Sequence, residues 1–221
     1  MGRWIGVVAA ILTTTMGYAG PEERVEARQL LMEYVAERGG LEQALANPLI
    51  DIRERTLVCV ACHGDDGNSV RADIPSIAEQ NPAYFIEQML IFQREGRYPE
   101  MMHGFAEQFA AAEIVALALH YAQLPRTVKI PVDRQLGAQG EALYQNHCAS
   151  CHGARGEGVG EVFAAIHKQR PDYLVRTMQR YRTGDIQRRS HEMEEIIGDW
   201  PEQTIRQLAH YIAGLPGKAR E

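Results

Sequence analysis

Apolar residues recur at three- and four-residue intervals in four stretches of the chain. Tyr84, Phe85, Met89 and Phe92 form one stripe, and Ile114, Val115, Leu117, Ala118 and Tyr121 form a second. Tyr173, Leu174, Met178 and Tyr181 form a third, and Ile205, Leu208, Ala209 and Ile212 a fourth. Spacing of this kind places side chains on one face of a helix. Strand-like alternation of useful length is missing, so the pattern predicts an all-α chain with long ordered loops. A further apolar face, Val25, Leu30, Leu31, Tyr34 and Val35, predicts a helix in the 20–50 segment, stopped by Gly39-Gly40. That segment has no counterpart later in the chain, so it reads as a helix capping the first half or docking a partner.

The third and fourth stripes repeat the first two. Cys59-Val60-Ala61-Cys62-His63-Gly64 returns 89 residues later as Cys148-Ala149-Ser150-Cys151-His152-Gly153. Gln80 and Gln169, Pro82 and Pro171, and Met89 and Met178 keep that offset. Met102 and Met193, and the Leu-Pro pairs at 124–125 and 215–216, stand 91 apart, which implies a two-residue insertion near Gly184. Two repeats are too few for a solenoid and fit two duplicated globular domains. The expected division is 20–125 for domain one with its helical extension, 126–134 for a linker, and 135–221 for domain two. The joint carries Pro125, Pro131 and charged residues without apolar periodicity.

Residues 1–19 read as an export signal, with Arg3, a short apolar run at 4–12 and Gly17-Tyr18-Ala19 before the cleavage point. The run is short for a membrane span, which needs about 20 residues; an uncleaved anchor is the alternative. Nothing later is apolar enough to cross a bilayer. The mature chain is therefore expected to be soluble and periplasmic. Aromatic residues make up only 7% of the chain, a lean supply that a large planar group in each core would supplement. A net charge of −6 argues against nucleic-acid binding.

All four cysteines fall in the two C-x-x-C-H motifs. Cysteine thiols add to the vinyl groups of haem, and a two-residue spacer puts both sulfurs on one turn. The next histidine then lies beneath the iron. Cys59, Cys62, Cys148 and Cys151 are thus expected to bind two covalent haem c groups, with His63 and His152 as proximal iron ligands. A thioredoxin-like redox pair would need a preceding strand. A zinc site would have to draw on both pairs, yet each sits in its own complete repeat.

The second axial ligand should follow in each domain. From Met102, Ala106, Ile114 and Leu117 stand at offsets 4, 12 and 15; Ile197, Ile205 and Leu208 stand at the same offsets from Met193. This common frame selects Met102 over Met101, and Met193 as its counterpart. With both axial positions filled, neither iron offers a site to a substrate. His103 and His191 are the competing ligands. His120, His147, His167 and His210 are expected at the surface or in packing, and Trp200 is expected to begin the last helix and pack near the second haem.

Both halves resemble class I cytochromes c, and the chain from about 50 to 217 resembles the diheme cytochrome c4 group. The matching pieces are C-x-x-C-H-G, Pro75-x-Ile77-x-x-Gln80, Gly96-Arg97 before Met102, and Gly140-x-x-x-Tyr144 before the second motif. Gly67-Asn68-Ser69-Val70 and Pro75-Ser76-Ile77-Ala78 are also similar to the cytochrome subunit of flavocytochrome c sulfide dehydrogenase. The resemblance implies two tandem cytochrome domains, each wrapped around one haem, and Pro75 presenting a backbone carbonyl to His63. Three departures stand out. The position matching Pro75 is Ala164, leaving His152 without the proline support. Asp51 and Arg55 replace the glycine and aromatic ahead of the first motif. His120 replaces the aromatic that Tyr211 supplies in the second half. Unequal haem potentials are the expected result.

The function this implies is single-electron transfer between redox proteins, with no catalysis of its own. Expected partners are a membrane cytochrome complex, a terminal oxidase or reductase, or a flavoprotein dehydrogenase. The alternative is a bound electron-accepting subunit of a sulfide dehydrogenase. A diheme peroxidase would need an openable haem, and a cysteine-ligated thiosulfate dehydrogenase haem would need a fifth cysteine. Charge is uneven: residues 20–125 hold 8 Arg and Lys against 17 Asp and Glu, and residues 135–221 hold 11 of each. Arg170, Arg176, Arg180, Arg182, Arg188 and Arg189 crowd the approach to Met193, which suggests a docking face for an acidic partner.

Overall fold

The computed structural model describes residues 21–46, 52–94, 100–160, 163–183 and 191–218, and among them no strand occurs. The expected signal segment, Asp51, Gly96-Arg97, Gly184, Arg188 and Arg189 lie outside the described residues. In the N-terminal half, α1 (Pro21–Glu37) and α2 (Leu41–Ala46) precede α3 (Ile52–His63), α4 (Pro82–Gln93), α5 (Glu100–Ala106) and α6 (Ala111–Gln123). In the C-terminal half, α7 (Arg134–Ala138), α8 (Glu141–His147) and α9 (Ala149–His152) lead to α10 (Pro171–Thr183), α11 (His191–Ile197) and α12 (Glu202–Gly214). The four stripes fall on α4, α6, α10 and α12.

Two apolar cores form. One gathers Phe85, Ile86, Met89, Ile114, Leu117 and Tyr121 with residues of α1; the other gathers Tyr144, Leu174, Met178, Ile205, Leu208 and Ile212. α1 lies across α4 and α6. It presents Ala27, Leu31 and Tyr34, all buried, while Val25 is 62% exposed and falls off the expected face. The helix ends as the glycines require: Gly39 and Gly40 take φ of 77° and 126°, and the Gly40 N–H donates to Val35 O at 3.0 Å.

α8 meets α12 at Gly140, where a Cβ would lie 2.5 Å from Gln207 O. Glycine is needed there because the backbones come too close for any side chain. Tyr144 follows one turn later, fully buried, and donates its hydroxyl to Gly153 O at 2.6 Å. In the first half Arg55 takes the place of Tyr144. It pairs with Glu113 at 2.7 Å and lies 5.9 Å from the centre of the Phe109 ring.

Residues 125–133 have no regular structure, yet their start is fixed. Arg126 is fully buried: Nε donates to Ala78 O at 2.9 Å, and Nη1 donates to Ala165 O at 3.2 Å and His167 O at 2.6 Å. Its own N–H reaches Glu79 Oε2 at 3.1 Å. The low apolar content of this stretch hid that role, because the anchor is a cation serving backbone carbonyls of both halves.

The halves meet through equivalent residues. The Gln80 amide donates to Ala165 O at 3.0 Å and accepts from Ala165 N–H at 2.7 Å. The Gln169 amide does the same to Ser76, at 3.0 and 2.8 Å. Gln80 and Gln169 are 89 apart in sequence, as are Ser76 and Ala165. Reciprocal pairing of this kind is the signature of an isologous contact. Glu79 and Lys168, also equivalent, are the two non-glycine residues with positive φ among the described residues, at 56° and 47°. Such backbone costs about 1 kcal/mol or more and persists only where its surroundings hold it. The Glu79 N–H is held by Tyr121 O at 2.8 Å, and the Lys168 ammonium by Arg126 O at 3.3 Å.

Candidate haem sites

Cys59, Cys62 and His63 occupy the last turn of α3, one continuous helix. Cys148 joins α8 to α9, and Cys151 and His152 end α9. Each motif closes on a glycine with positive φ, Gly64 at 85° and Gly153 at 80°. All four thiols are free. Burial pushes the Cys59 thiol up, and it pushes Cys148 up to about 11, with neighbouring Cys151 adding to the effect. A redox dithiol has the opposite character, since it needs a stabilised thiolate. Among the described residues no group of three or more His, Cys, Asp or Glu is placed to hold a metal ion.

Both histidines are oriented alike. His63 Nδ1 lies 2.8 Å from Pro75 O, and His152 Nδ1 lies 3.0 Å from Ala164 O. A carbonyl can only accept, so Nδ1 carries the proton in each ring and Nε2 is left with its lone pair. This corrects the expectation that losing the proline at 164 deprives His152 of support. The acceptor is a backbone oxygen, and alanine supplies it as well as proline does. The residues fit haem c: paired free thiols on one turn, with a histidine whose ring is fixed and whose second nitrogen is basic.

Met102 is half-buried against the first core, while Met101 is 65% exposed. Met193 is half-buried against the second core. His103, the competitor of Met102, is engaged elsewhere: Nδ1 donates to Phe92 O at 2.7 Å and Nε2 lies 3.5 Å from Glu107. The side chain of His191 lies outside the described residues. Trp200 does not begin the last helix. It precedes Pro201, the N-cap of α12, and packs against the second core with its ring 5.4 Å from that of His147.

The remaining histidines divide. His120 packs on the Tyr121 ring at 5.1 Å, where burial lowers its pKa. His210 accepts the Asp133 N–H at 3.1 Å. His167 is fully buried between the halves, its Nε2 3.2 Å from Glu79 and its Nδ1 3.0 Å from Gly156 O.

Two of the clustered arginines are engaged within the molecule. Arg170 is buried, and its guanidinium donates to Ser69 O through Nε at 2.7 Å and through Nη2. Arg176 lies 4.0 Å from Asp73, and Arg182 donates to Trp200 O at 3.2 Å. Arg170 thus ties the two halves and Arg182 braces the second core, while Arg176 stays half exposed and Arg188 and Arg189, the pair nearest Met193 in the expected docking face, lie outside the described residues. Sequence alone showed a run of cations near Met193 but not the carbonyls and the aspartate facing them.

A cytochrome c4 from Thiocapsa roseopersicina is 31% identical over 171 residues, spanning 72% of this chain and 87% of that protein. The chain belongs to the cytochrome c4 family. It is accordingly a diheme electron-transfer cytochrome that carries two covalently attached haem c groups and is not an enzyme. The model of the family described as cytochrome c oxidase, cbb3-type, subunit III matches residues 135–212. A thiosulfate dehydrogenase electron acceptor from Thiomonas intermedia is 31% identical over 138 residues, 57% of this chain and 63% of that protein. The crystal structure of reduced recombinant cytochrome c4 from Pseudomonas stutzeri superposes with a TM-score of 0.67 at 24% identity, over 73% of this chain and 95% of the other, a likeness of fold. Among the described residues no helix is long and apolar enough to cross a membrane.

Proposed function

We propose that the chain is exported to the periplasm with removal of residues 1–19, and shuttles single electrons there between a membrane cytochrome complex and a terminal oxidase or reductase. Residues 20–125 and 135–221 act as the two haem domains, joined by 126–134. Cys59 and Cys62 would bind one haem and Cys148 and Cys151 the other, and His63 with Met102, and His152 with Met193, would hold the irons. Bound haem supplies one-electron chemistry at iron. The protein fixes each histidine by its Nδ1 proton, so that Nε2 would be available to the iron as a base of set orientation. Each methionine offers a thioether, which favours ferrous iron and raises the potential.

The observation that supports this best is the pairing of free thiols with a carbonyl-held histidine in both repeats, at 2.8 and 3.0 Å. The ligand set is tested by Met102→Ala and Met193→Ala: each should abolish one sulfur–iron absorption band and lower one potential. The same loss from Met101→Ala would overturn the choice of Met102.

A second reading, an electron-accepting subunit tied to a dehydrogenase, draws on the likeness to the thiosulfate dehydrogenase electron acceptor. Capture of the tagged mature protein from periplasm separates the two. A shuttle is recovered alone, and a subunit brings a stoichiometric dehydrogenase chain.

A further inference from the structure

The contact between the halves touches the support of both histidines. His63 donates to the carbonyl of the Pro75–Ser76 peptide, and the N–H of that same peptide donates to Gln169 Oε1 at 2.8 Å. His152 donates to the carbonyl of the Ala164–Ala165 peptide, and the N–H of that peptide donates to Gln80 Oε1 at 2.7 Å. Each chain of bonds therefore runs from a glutamine of one half, through one peptide group, to the histidine of the other. Ser76 and Ala165 are 1% exposed, Gln80 8% and Gln169 4%, so water competes little for these bonds.

Hydrogen bonds in series polarise one another. An acceptor on the peptide N–H shifts electron density to the peptide oxygen, which then draws harder on the imidazole proton. A histidine whose Nδ1–H is drawn away is a more basic donor at Nε2 and favours ferric over ferrous iron.

We propose that each half sets the basicity of the other half's proximal histidine, Gln169 acting on His63 and Gln80 on His152. The two glutamines are positioning residues for the electron-transfer reaction, and they make each haem's potential depend on the intact contact with the opposite half. This rests on His63 and His152 being the iron ligands.

The glutamines earn their place in the repeat by this geometry. Each side chain also donates to the carbonyl of the residue it grips, at 3.0 Å in both cases. Each oxygen in addition accepts the N–H of the following residue, Asn81 at 2.9 Å and Arg170 at 3.1 Å, which fixes the amide and so the direction of its oxygen. A glutamine serving only adhesion between the halves would have no need to grip the one peptide that holds a histidine, twice.

The test uses the diheme holoprotein with Gln80→Met and Gln169→Met, which keep side-chain length and remove the amide. Both potentials are followed by spectroelectrochemistry, and each haem is assigned from its own paramagnetically shifted methyl signals. Gln80→Met should raise the potential of the haem on Cys148 and Cys151 and leave the other unchanged; Gln169→Met should do the reverse. The oxidised-to-reduced ratio should change about 1.4- to 2.8-fold, or about 9–26 mV at about 59 mV per decade. Unchanged potentials, a shift at the haem of the variant's own half, or equal shifts at both haems would overturn the relay. His63→Ala and His152→Ala tell the underlying reading apart: if either leaves both haems low-spin, the ligand assignment itself fails, whatever the glutamine variants do.

Discussion

α4 and α10 occupy equivalent places in the two halves and have opposite surfaces. α4 buries nine of its twelve residues, among them Glu87 and Gln88, and reads as apolar nearly all round. α10 buries Leu174, Val175, Met178 and Tyr181 and carries arginines on its other face. The difference is α1, which covers the side of α4 that α10 shows to solvent. Charges follow the cover: Arg94, just past the end of α4, reaches back to Glu23 at 2.7 Å and Glu26 at 2.5 Å, and Arg24 reaches Glu87 at 3.6 Å. A helix with a second apolar face thus marks where an added element sits, even when that element has no counterpart in the repeat.

If α1 is part of the first core, Leu31→Ala should cost about 2–4 kcal/mol of stability in the N-terminal half alone. Trp200, the one tryptophan after residue 20, reports the other half. Its fluorescence midpoint in denaturant should stay fixed while the circular dichroism transition splits. A common shift of both signals would show that the halves unfold as one unit and that the comparison fails.

A Cβ at 140 would lie 2.5 Å from Gln207 O, so Gly140→Ala should destabilise the C-terminal half by about 1–3 kcal/mol, read as an earlier Trp200 transition. Tyr144→Phe removes the bond to Gly153 O and should cost about 1 kcal/mol at the same probe. Arg94→Ala should cost at most about 1 kcal/mol, since the guanidinium is 46% exposed and salt screens the pairs. An Arg94→Ala cost above that of Leu31→Ala would make ion pairing, and not apolar cover, the reason α1 stays in place.

Helix positions and the haem motifs were legible in the sequence because both rest on local spacing. α4, α6, α10 and α12 follow their stripes, and C-x-x-C-H is a single turn of chemistry. What stayed hidden depends on partners far along the chain. Ala164 looked like a lost support because a side-chain motif stood in for a backbone oxygen. Arg126 looked like linker because its partners, Ala78, Ala165 and His167, come from both repeats. Arg170 looked like a surface charge because nothing nearby in sequence announces Ser69 O. Gln80 and Gln169 were visible as repeated residues, but only the folded chain shows that each crosses to the other repeat.

Amide and guanidinium bonds to backbone join the halves. A patch of that kind would hold two free molecules poorly, because hydrogen bonds exchanged with water return only about 1 kcal/mol each. Here the nine residues at 125–133 join the partners, and a tether that short supplies an effective concentration of the order of millimolar. Covalent connection therefore does the gathering. The interface is left free to be polar, directional and exact in register, which a greasy one is not.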